Sequence, residues 1–116
     1  ILGWSVPEIC KSEEDKLSRT LYTQPCLYVV ESILADLIKE KGNQPDLVAG
    51  HSLGEYVALY AAAVFDFESG LKLVKRRSEL MDSAAGGMMA ALMGFKREEL
   101  EAKIAQNPDV VLANDN

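Results

Sequence analysis

The sequence predicts an α/β fold, and two patterns in it carry that prediction. The first is a short apolar run at residues 47–49, set between a Pro-Asp pair and a glycine, with a helix-forming stretch at residues 55–64 downstream. The second follows Gly87, where strand-like, helical and strand-like patterns succeed one another. Short apolar runs that alternate with helical patterns are typical of strand–helix units in a parallel sheet. With 116 residues, the chain has room for one small domain or for part of a larger one.

The composition argues against several classes of protein. Hydrophobic residues make up 48% of the chain and charged residues 26%, which suits a packed core rather than a disordered segment. The apolar residues stand in short blocks, none long enough to cross a bilayer, and no basic and apolar leader opens the chain. The net charge of −6 argues against a nucleic-acid partner. We therefore expect a cytoplasmic protein that binds neither membrane nor nucleic acid.

The cysteines and the histidine do not form a metal-binding pattern. Cys10 and Cys26 stand in neither a metal-ligand nor a CxxC spacing. Free, buried thiols in a reducing cytosol are the favoured interpretation, with a structural disulfide as the alternative. His51 is the single histidine, so we expect no zinc site within the chain and no other metal or cofactor.

Two helices are predicted in the first part of the chain. The acidic stretch at residues 12–15 predicts the capped start of a short helix that ends near Arg19. Thr23 is a cap candidate for the next helix, Pro25 suits its first turn, and Gly42 suits its end. One apolar face of this helix is predicted from helical spacing. It consists of Leu27, Val30, Leu34, Leu37 and Ile38.

Two further helical segments follow the apolar run. The stretch at residues 55–64 is rich in Ala, Leu and Tyr, and Phe-Asp-Phe breaks it. Asp66 is then a good cap for a helix over residues 68–82. We expect that helix to bury Leu71, Val74 and Met81.

A second, smaller unit is predicted after a linker of small residues at 84–87. It contains a strand at 88–93, an amphipathic helix at 97–106, a break at Asn107 and a strand at 110–112. This β-α-β pattern could begin a small subdomain.

The motif that carries chemistry is Gly50-His51-Ser52-Leu53-Gly54, which reads G-x-S-x-G between the apolar run and a helix. This arrangement is typical of a nucleophile elbow, in which a strained turn exposes the hydroxyl of Ser52. Gly50 and Gly54 lack a Cβ and would let the two segments approach closely. The N–H of Leu53 is the natural half of an oxyanion hole at the helix N-terminus. The alternative is a glycine-rich turn that serves only packing.

His51 is a poor candidate for the catalytic base, although it is adjacent to Ser52. Consecutive side chains in a sharp elbow point in different directions, and a general base must reach the proton that it removes. We expect His51 to play a structural role, hydrogen-bonded beneath the elbow. A serine without a base is a weak nucleophile, so the base is expected outside this chain.

Several ordered blocks resemble one known family. GHSLGE, the helix YVALYAAAVFDF, the segment LKLVKRRSELM, the TQP turn and the strand GGMMAALMG are similar to the acyltransferase family that loads malonyl groups onto acyl carrier protein. The resemblance covers nearly the whole chain. It implies an α/β-hydrolase-like parallel-sheet core of which residues 1–83 are the central part. It also implies that residues 88–116 begin a ferredoxin-like small subdomain.

The resemblance also implies an activity and its residues. Ser52 would accept a malonyl group from malonyl-CoA as an ester and pass it to the phosphopantetheine thiol of acyl carrier protein. Leu53 matches the position that donates an oxyanion-hole N–H. Arg77 matches the arginine that pairs with the malonyl carboxylate, for which a planar guanidinium is suited, and a surface ion pair is the alternative. Gln24 matches a glutamine near the acyl pocket, and a plain helix cap is the alternative.

Other positions match the family less specifically. Asn114 and Asn116 resemble polar residues near the site. Because the carrier protein is acidic in this family, Lys72, Lys75 and Arg76 are candidate contacts for it. Arg76 would project elsewhere than Arg77, so the two are not interchangeable.

The departures from the family pattern matter as much as the matches. The N-terminal strand and the glycine-glutamine loop with the second oxyanion donor would precede Ile1, and the family's catalytic histidine would follow Asn116. Ala63 falls where the family usually has glycine, a change expected to cost little. We therefore expect the central portion of a domain, which alone folds poorly and turns over negligibly.

Three alternative functions remain open from the sequence. An α/β-hydrolase, such as an esterase or thioesterase, shares the elbow, although Arg77 and the small second unit argue against it. An acyltransferase domain of a polyketide synthase or multifunctional fatty acid synthase shares every motif. A non-catalytic binding fragment would be favoured if Ser52 never became acylated.

Overall fold

The computed structural model describes residues 1–84 and 86–115, and within these ranges the chain forms five helices and no strand. The helices are α1 (Val6–Cys10), α2 (Thr20–Glu40), α3 (Gly54–Ala61), α4 (Phe67–Ser83) and α5 (Arg97–Ile104). The chain divides into two compact units, Ile1–Ala85 and Gly86–Asn116. The first unit contains α1 to α4, and α2 packs against each of the other three.

The helix α2 begins earlier than the sequence pattern predicts. The N–H groups of Tyr22 and Thr23 both bond the carbonyl of Arg19, so the first turn closes ahead of the TQP segment. Pro25 therefore lies inside the helix, where it cannot donate to the carbonyl of the residue four positions earlier, and its predicted place in the first turn is wrong. The predicted end is confirmed, because Gly42 follows the helix with φ 85°.

The core of the first unit lies between α2, α3 and α4. Tyr28 is fully buried there with Leu53, Leu71 and Val74. Its ring stacks on Phe67 with centroids 5.5 Å apart, and its hydroxyl donates a 3.2 Å hydrogen bond to the Phe67 carbonyl. A large aromatic residue thus joins α2 to the first turn of α4.

The helix α4 begins as predicted. Asp66 is its N-cap, and its Oδ1 accepts a 2.7 Å hydrogen bond from the Ser69 N–H. That bond also holds the pKa of the Asp66 carboxyl below its ordinary value. The predicted burial of Leu71 and Val74 is confirmed, whereas Met81 is 48% exposed and its predicted burial is wrong.

The short helix predicted to end near Arg19 is wrong. The first helix is α1, whose first turn contains Pro7. Ser12 does not cap a helix, because its Oγ accepts a 3.2 Å hydrogen bond from the Glu14 N–H and closes a local turn instead.

The apolar side of α2 is exposed rather than buried within the first unit. We call Leu27, Val30, Leu34, Leu37 and Ile38 the α2 apolar face; each is between 44% and 53% exposed. The residues that α2 buries form a mixed set instead. This set is Gln24, Pro25, Cys26, Tyr28 and Ser32.

Residues 47–49, where a strand is predicted, have no regular secondary structure, and Leu47 is 92% exposed. A strand is defined by hydrogen bonds to a neighbouring strand, and no segment of the described residues pairs with this one. Neither the predicted strand nor its burial on both faces is observed, and residues 1–84 and 86–115 contain no parallel sheet.

The second unit contains α5, and the helix predicted at 97–106 is confirmed. Arg97 starts this helix and pairs with Glu101 at 2.8 Å and with Asp115. Residues 88–93 and 110–112, where strands are predicted, have no regular secondary structure, because they too lack a partner strand among the described residues. Among the described residues of this unit, none is buried.

The two cysteines are both free but differ in exposure. Cys26 is buried as predicted, and burial, together with the neighbouring Cys10 thiol, raises the pKa of Cys26 to about 11. Cys10 is exposed, so its predicted burial is wrong. No helix within the described ranges has both the length and the apolar character needed to cross a bilayer.

Candidate active site

The G-x-S-x-G segment forms a sharp turn between the irregular residues 47–50 and the start of α3. Ser52 has φ 54°, a left-handed conformation that residues other than glycine rarely adopt. Its side chain is exposed. Backbone strain at an exposed hydroxyl is what a nucleophile elbow requires.

The two glycines of the motif have different roles. A Cβ added at Gly50 would overlap the backbone carbon and oxygen of Gly54, so only glycine fits at position 50. A Cβ added at Gly54 would meet no atom within 4 Å. The predicted need for glycine is therefore confirmed at Gly50 and wrong at Gly54.

Leu53 joins the elbow to the core. Its side chain is 6% exposed and packs in the cluster around Tyr28. The adjacent N–H groups of Gly54 and Glu55 bond the carbonyls of His51 and Ser52 at 2.9 and 3.3 Å. Within the described part of the chain, no atom accepts a hydrogen bond from the Leu53 N–H. That donor lies at the N-terminal end of α3, where helices stabilise negative charge.

Arg77 reaches Ser52 from α4. Its Nη2 donates a 3.1 Å hydrogen bond to Ser52 Oγ, and its Nη1 donates to Gln24 Oε1. Its guanidinium carbon lies 5.8 Å from the ring centroid of Tyr56, a cation–π contact. Arg76 instead pairs with Glu79 at 3.5 Å on the surface, so the predicted distinction between the two arginines is confirmed.

Gln24 connects α2 to this arginine. Its side chain is 5% exposed, and its Nε2 donates to Thr20 Oγ1 at 2.6 Å and to Met81 Sδ at 3.3 Å. Gln24 does not cap α2, because the N-cap residue is Arg19. The alternative of a plain helix cap is therefore wrong.

The sequence analysis missed three residues around Ser52: Thr20, Tyr56 and Met81. Two of them could have been found from helical spacing, because Thr20 stands four residues before Gln24 and Met81 four residues after Arg77. Residues four apart on a helix lie on the same face. No comparable signal in the sequence marks Tyr56.

An open cavity of about 810 Å³ lies in front of these side chains. Its lining includes Thr20, Gln24, His51, Ser52, Arg77 and Met81. This volume is within the range of small-molecule sites, and the few polar groups converge on one point of its wall. The cavity can therefore hold an acyl group with its carbonyl carbon at the Ser52 hydroxyl.

His51 is not buried beneath the elbow. Its side chain is exposed at the cavity wall, and none of the hydrogen bonds described for residues 1–84 and 86–115 involves its ring. The predicted structural hydrogen bond is therefore not observed.

The predicted carrier-protein contacts on α4 are not among the residues that line the cavity. Lys72 and Arg76 form ion pairs with glutamates on α4, and Lys75 donates to the Ile1 carbonyl at 2.9 Å. Asn114 belongs to the second unit, and Asn116 lies outside the described residues. In the part of the chain that the structure describes, no group of three or more His, Cys, Asp or Glu could hold a metal ion.

Comparison with known proteins gives a consistent result. The family model of the acyl transferase domain matches residues 1–116. The chain is 66% identical over 116 residues to a malonyl CoA-acyl carrier protein transacylase of Synechocystis sp., covering 100% of this chain and 40% of that protein. It is 45% identical over 120 residues to a polyketide biosynthesis malonyl CoA-acyl carrier protein transacylase of Bacillus subtilis, covering 100% of this chain and 42% of that one.

A solved structure agrees with this result. The crystal structure of the Synechocystis malonyl-CoA:ACP transacylase matches with a TM-score of 0.94 at 65% identity, covering 99% of this chain and 39% of that chain. The present chain thus has the fold of part of an α/β enzyme, and it spans about 40% of the length of that relative. The match of the family model over all 116 residues shows that the chain belongs to the acyl transferase domain family.

Proposed function

We propose that this chain carries the nucleophile of a transacylase that moves a malonyl group from malonyl-CoA to the phosphopantetheine thiol of acyl carrier protein. One observation supports this above the others. The hydroxyl of Ser52 stands on a strained elbow in an open cavity and accepts a hydrogen bond from Arg77. A nucleophile and a carboxylate-binding cation are therefore in direct contact.

The reaction takes place in two balanced steps. Ser52 Oγ attacks the thioester carbonyl, the C–S bond breaks, and coenzyme A leaves as a thiol with the proton that a base took from the serine. The same base then takes the proton of the carrier's pantetheine thiol, and the sulfur attacks the serine ester. The C–O bond breaks, Ser52 Oγ receives that proton from the base, and the malonyl group leaves on the new thioester.

The oxyanion formed in both steps is assigned to the Leu53 N–H. This donor is free of described partners and lies at the N-terminal end of α3. Preorganised N–H groups at a helix N-terminus stabilise charge that develops only in the transition state.

Arg77 is assigned to the free carboxylate of the malonyl group. A guanidinium has five N–H donors; two of them are directed to Gln24 and Ser52, which leaves three for a carboxylate. Bidentate pairing fixes the orientation of the acyl group and disfavours acyl groups without an acid end. The ring of Tyr56 below the guanidinium restricts its motion further.

The base and the second oxyanion donor are proposed to come from outside these 116 residues. The only histidine, His51, is exposed at the cavity wall and makes no described contact with Ser52. We likewise infer that residues 47–49 pair into a hydrolase-like sheet supplied by other parts of a longer polypeptide. Within it, residues 1–83 belong to the core and 88–116 begin the ferredoxin-like subdomain of a cytoplasmic enzyme.

A polyketide setting is the second candidate, and one observation favours it. Among the similar proteins is the polyketide biosynthesis transacylase of Bacillus subtilis, at 45% identity. The chemistry at Ser52 would be the same, and the acceptor would be a polyketide carrier protein. The rates of malonyl transfer to a fatty acid carrier protein and to a polyketide carrier protein discriminate between the two settings. Ester hydrolysis is disfavoured, because a carboxylate-binding Arg77 has no role in a general esterase.

The test is intact mass spectrometry after brief incubation with malonyl-CoA. The chain is given a full-length context by exchanging it for the matching segment of the Synechocystis transacylase. We expect a malonyl adduct that is lost in Ser52→Ala and weakened in Arg77→Ala, with acetyl-CoA labelling relatively spared.

Arg76→Ala is the matched control, because it removes a neighbouring guanidinium that pairs with the surface glutamate Glu79. It should label as the unsubstituted protein does. No adduct on the unsubstituted protein, or an unchanged adduct on Ser52→Ala, would contradict the proposed function. Normal transacylation by the isolated 116 residues would contradict the proposal that the base lies elsewhere.

A further inference from the structure

The side chain of Gln24 can bind Arg77 only in one orientation. An amide presents a carbonyl oxygen on one side and an NH₂ group on the other, whereas a guanidinium has donors only. Gln24 Oε1 must therefore face Arg77, and Nε2 must point the opposite way. Because Gln24 is 5% exposed, the protein itself has to supply the acceptor for Nε2.

Thr20 supplies that acceptor. Gln24 Nε2 donates to Thr20 Oγ1 at 2.6 Å, and its other described partner, Met81 Sδ at 3.3 Å, is a weak acceptor. Thr20 is the first residue of α2 and stands one turn before Gln24 on the same face. Its hydroxyl does not cap the helix, because Arg19 is the N-cap and no side chain caps it.

The hydrogen bonds therefore form a directional series from α2 to the nucleophile. Thr20 accepts from Gln24, Gln24 accepts from Arg77, and Arg77 donates to Ser52 at 3.1 Å. Removing the first acceptor leaves a buried N–H₂ without a strong partner, which favours rotation of the amide. A rotated amide would place its NH₂ against the guanidinium, where two donors repel each other.

We propose that Thr20 is a positioning residue that sets the carboxylate selectivity of this site by fixing the amide orientation of Gln24 and, through it, the guanidinium of Arg77. The inference rests on the proposed function, in which Arg77 binds the malonyl carboxylate. An acyl group with no carboxylate makes no use of the guanidinium donors of Arg77 that remain free, and it depends on Arg77 only through the hydrogen bond to Ser52 Oγ. Losing Thr20 is therefore expected to reduce malonyl transfer more than acetyl transfer.

The test compares Thr20→Val with the unsubstituted protein, both in the full-length context described above. The measured quantity is the ratio of kcat/KM for acylation by malonyl-CoA to that by acetyl-CoA. We expect Thr20→Val to lower this ratio about tenfold, mainly through the KM for malonyl-CoA, as suits one unsatisfied buried donor. Thr20→Ser keeps the hydroxyl and should restore the ratio.

Thr23→Val is the matched control. It makes the same substitution on the same helix, but the Thr23 hydroxyl donates to backbone carbonyls, including that of Arg19 at 2.8 Å. We expect it to lower the melting temperature without changing the malonyl-to-acetyl ratio. A purely structural role of Thr20 would give this same pattern for Thr20→Val.

The two failures can be told apart. If the unsubstituted protein forms no malonyl ester on Ser52, the proposed function fails and the inference fails with it. If the ester forms but Thr20→Val leaves the malonyl-to-acetyl ratio unchanged, only the inference is overturned. The same holds if the variant lowers kcat/KM equally for malonyl-CoA and acetyl-CoA. A crystal structure of Thr20→Val that retains the Gln24–Arg77 hydrogen bond would also overturn it.

Discussion

The residues that flank the two ends of α3 have the same unusual backbone conformation but different surroundings. Ser52 lies just before the helix with φ 54°, and Ala63 lies just after it with φ 58°. Ser52 stands in the cavity beside Arg77, at the turn for which Gly50 is required. The Ala63 N–H bonds the carbonyl of Tyr60 at 2.9 Å, just after the end of the helix.

A left-handed conformation costs a residue with a Cβ roughly 1–2 kcal/mol. At Ser52 this strain directs a hydroxyl into the cavity, and no glycine could supply that hydroxyl. At Ala63 the same strain ends a helix, which glycine would do without it. Strain of one kind thus serves chemistry at one end of α3 and is dispensable at the other.

Gly50→Ala should give the largest effect on stability, because it changes the turn that holds Ser52 ahead of α3. The added Cβ would overlap backbone atoms of Gly54, which cannot move without unwinding the start of α3. We expect a loss of more than about 3 kcal/mol in the free energy of unfolding, or no folded protein. The control is Gly54→Ala, whose Cβ meets nothing and which should be tolerated. Equal melting temperatures by circular dichroism would contradict this difference.

Tyr60→Phe tests the second end, where α3 is joined to α2. The Tyr60 hydroxyl donates a 2.7 Å hydrogen bond to Asp36 Oδ2, and its loss should cost about 1.5 kcal/mol near neutral pH. That hydrogen bond, followed by burial, raises the pKa of Tyr60 to about 12.

The pH dependence follows from the sign of that shift. An unfolded tyrosine titrates at about pH 10. The stabilisation by the hydrogen bond of Tyr60 is therefore complete below that value and is lost as the pH rises toward the pKa of the folded state. Urea unfolding from pH 8 to pH 12 should show the stability difference between Tyr60 and Phe shrinking. A difference that grows with pH would contradict the assignment.

Ser52→Gly and Ser52→Ala separate strain from chemistry at the first end. Both remove the hydroxyl and its bond to Arg77, and both should abolish the malonyl ester. Only glycine relieves the left-handed strain, so Ser52→Gly should be more stable than Ser52→Ala by about 1 kcal/mol. Denaturant unfolding measures the difference, and equal stability would show that Ser52 is not strained.

Ala63→Gly should give the smallest change in stability. Unlike Ser52→Gly, it should leave function intact. We expect it to raise the free energy of unfolding by about 0.5–1 kcal/mol, because glycine adopts positive φ freely. Acylation of Ser52 should not change, which makes Ala63→Gly the counterpart of Ser52→Gly. A destabilised variant would mean that the methyl group of Ala63 makes packing contacts that outweigh its strain.

Local signals in the sequence predicted local structure well. Asp66 caps α4 and Gly42 ends α2 because each depends on a few neighbouring residues. The α2 apolar face was found, but periodicity shows only that a face is apolar and does not show what covers it. The run at residues 47–49 forms no strand among the described residues for a related reason, since a strand needs a partner that local sequence does not contain.

The residues of the site show the same difference between local and long-range signals. Ser52 was predicted from a pentapeptide whose strain is local, whereas Arg77 and Gln24 were assigned only through family resemblance. These two residues stand 53 positions apart, and their contact depends on the packing of α2 against α4. Thr20 was missed because the helix was predicted to begin at Thr23, which put Thr20 outside it, whereas α2 begins at Thr20.

The α2 apolar face has a practical consequence for stability measurements on the 116 residues themselves. Its five large side chains are each about half exposed in the folded chain. Environment-sensitive dyes that report unfolding by binding apolar surface would bind this face before any unfolding occurs. Fluorescence from such dyes would start high and could fall on heating, which would misorder the variants. Circular dichroism follows the helices themselves and is therefore the appropriate readout.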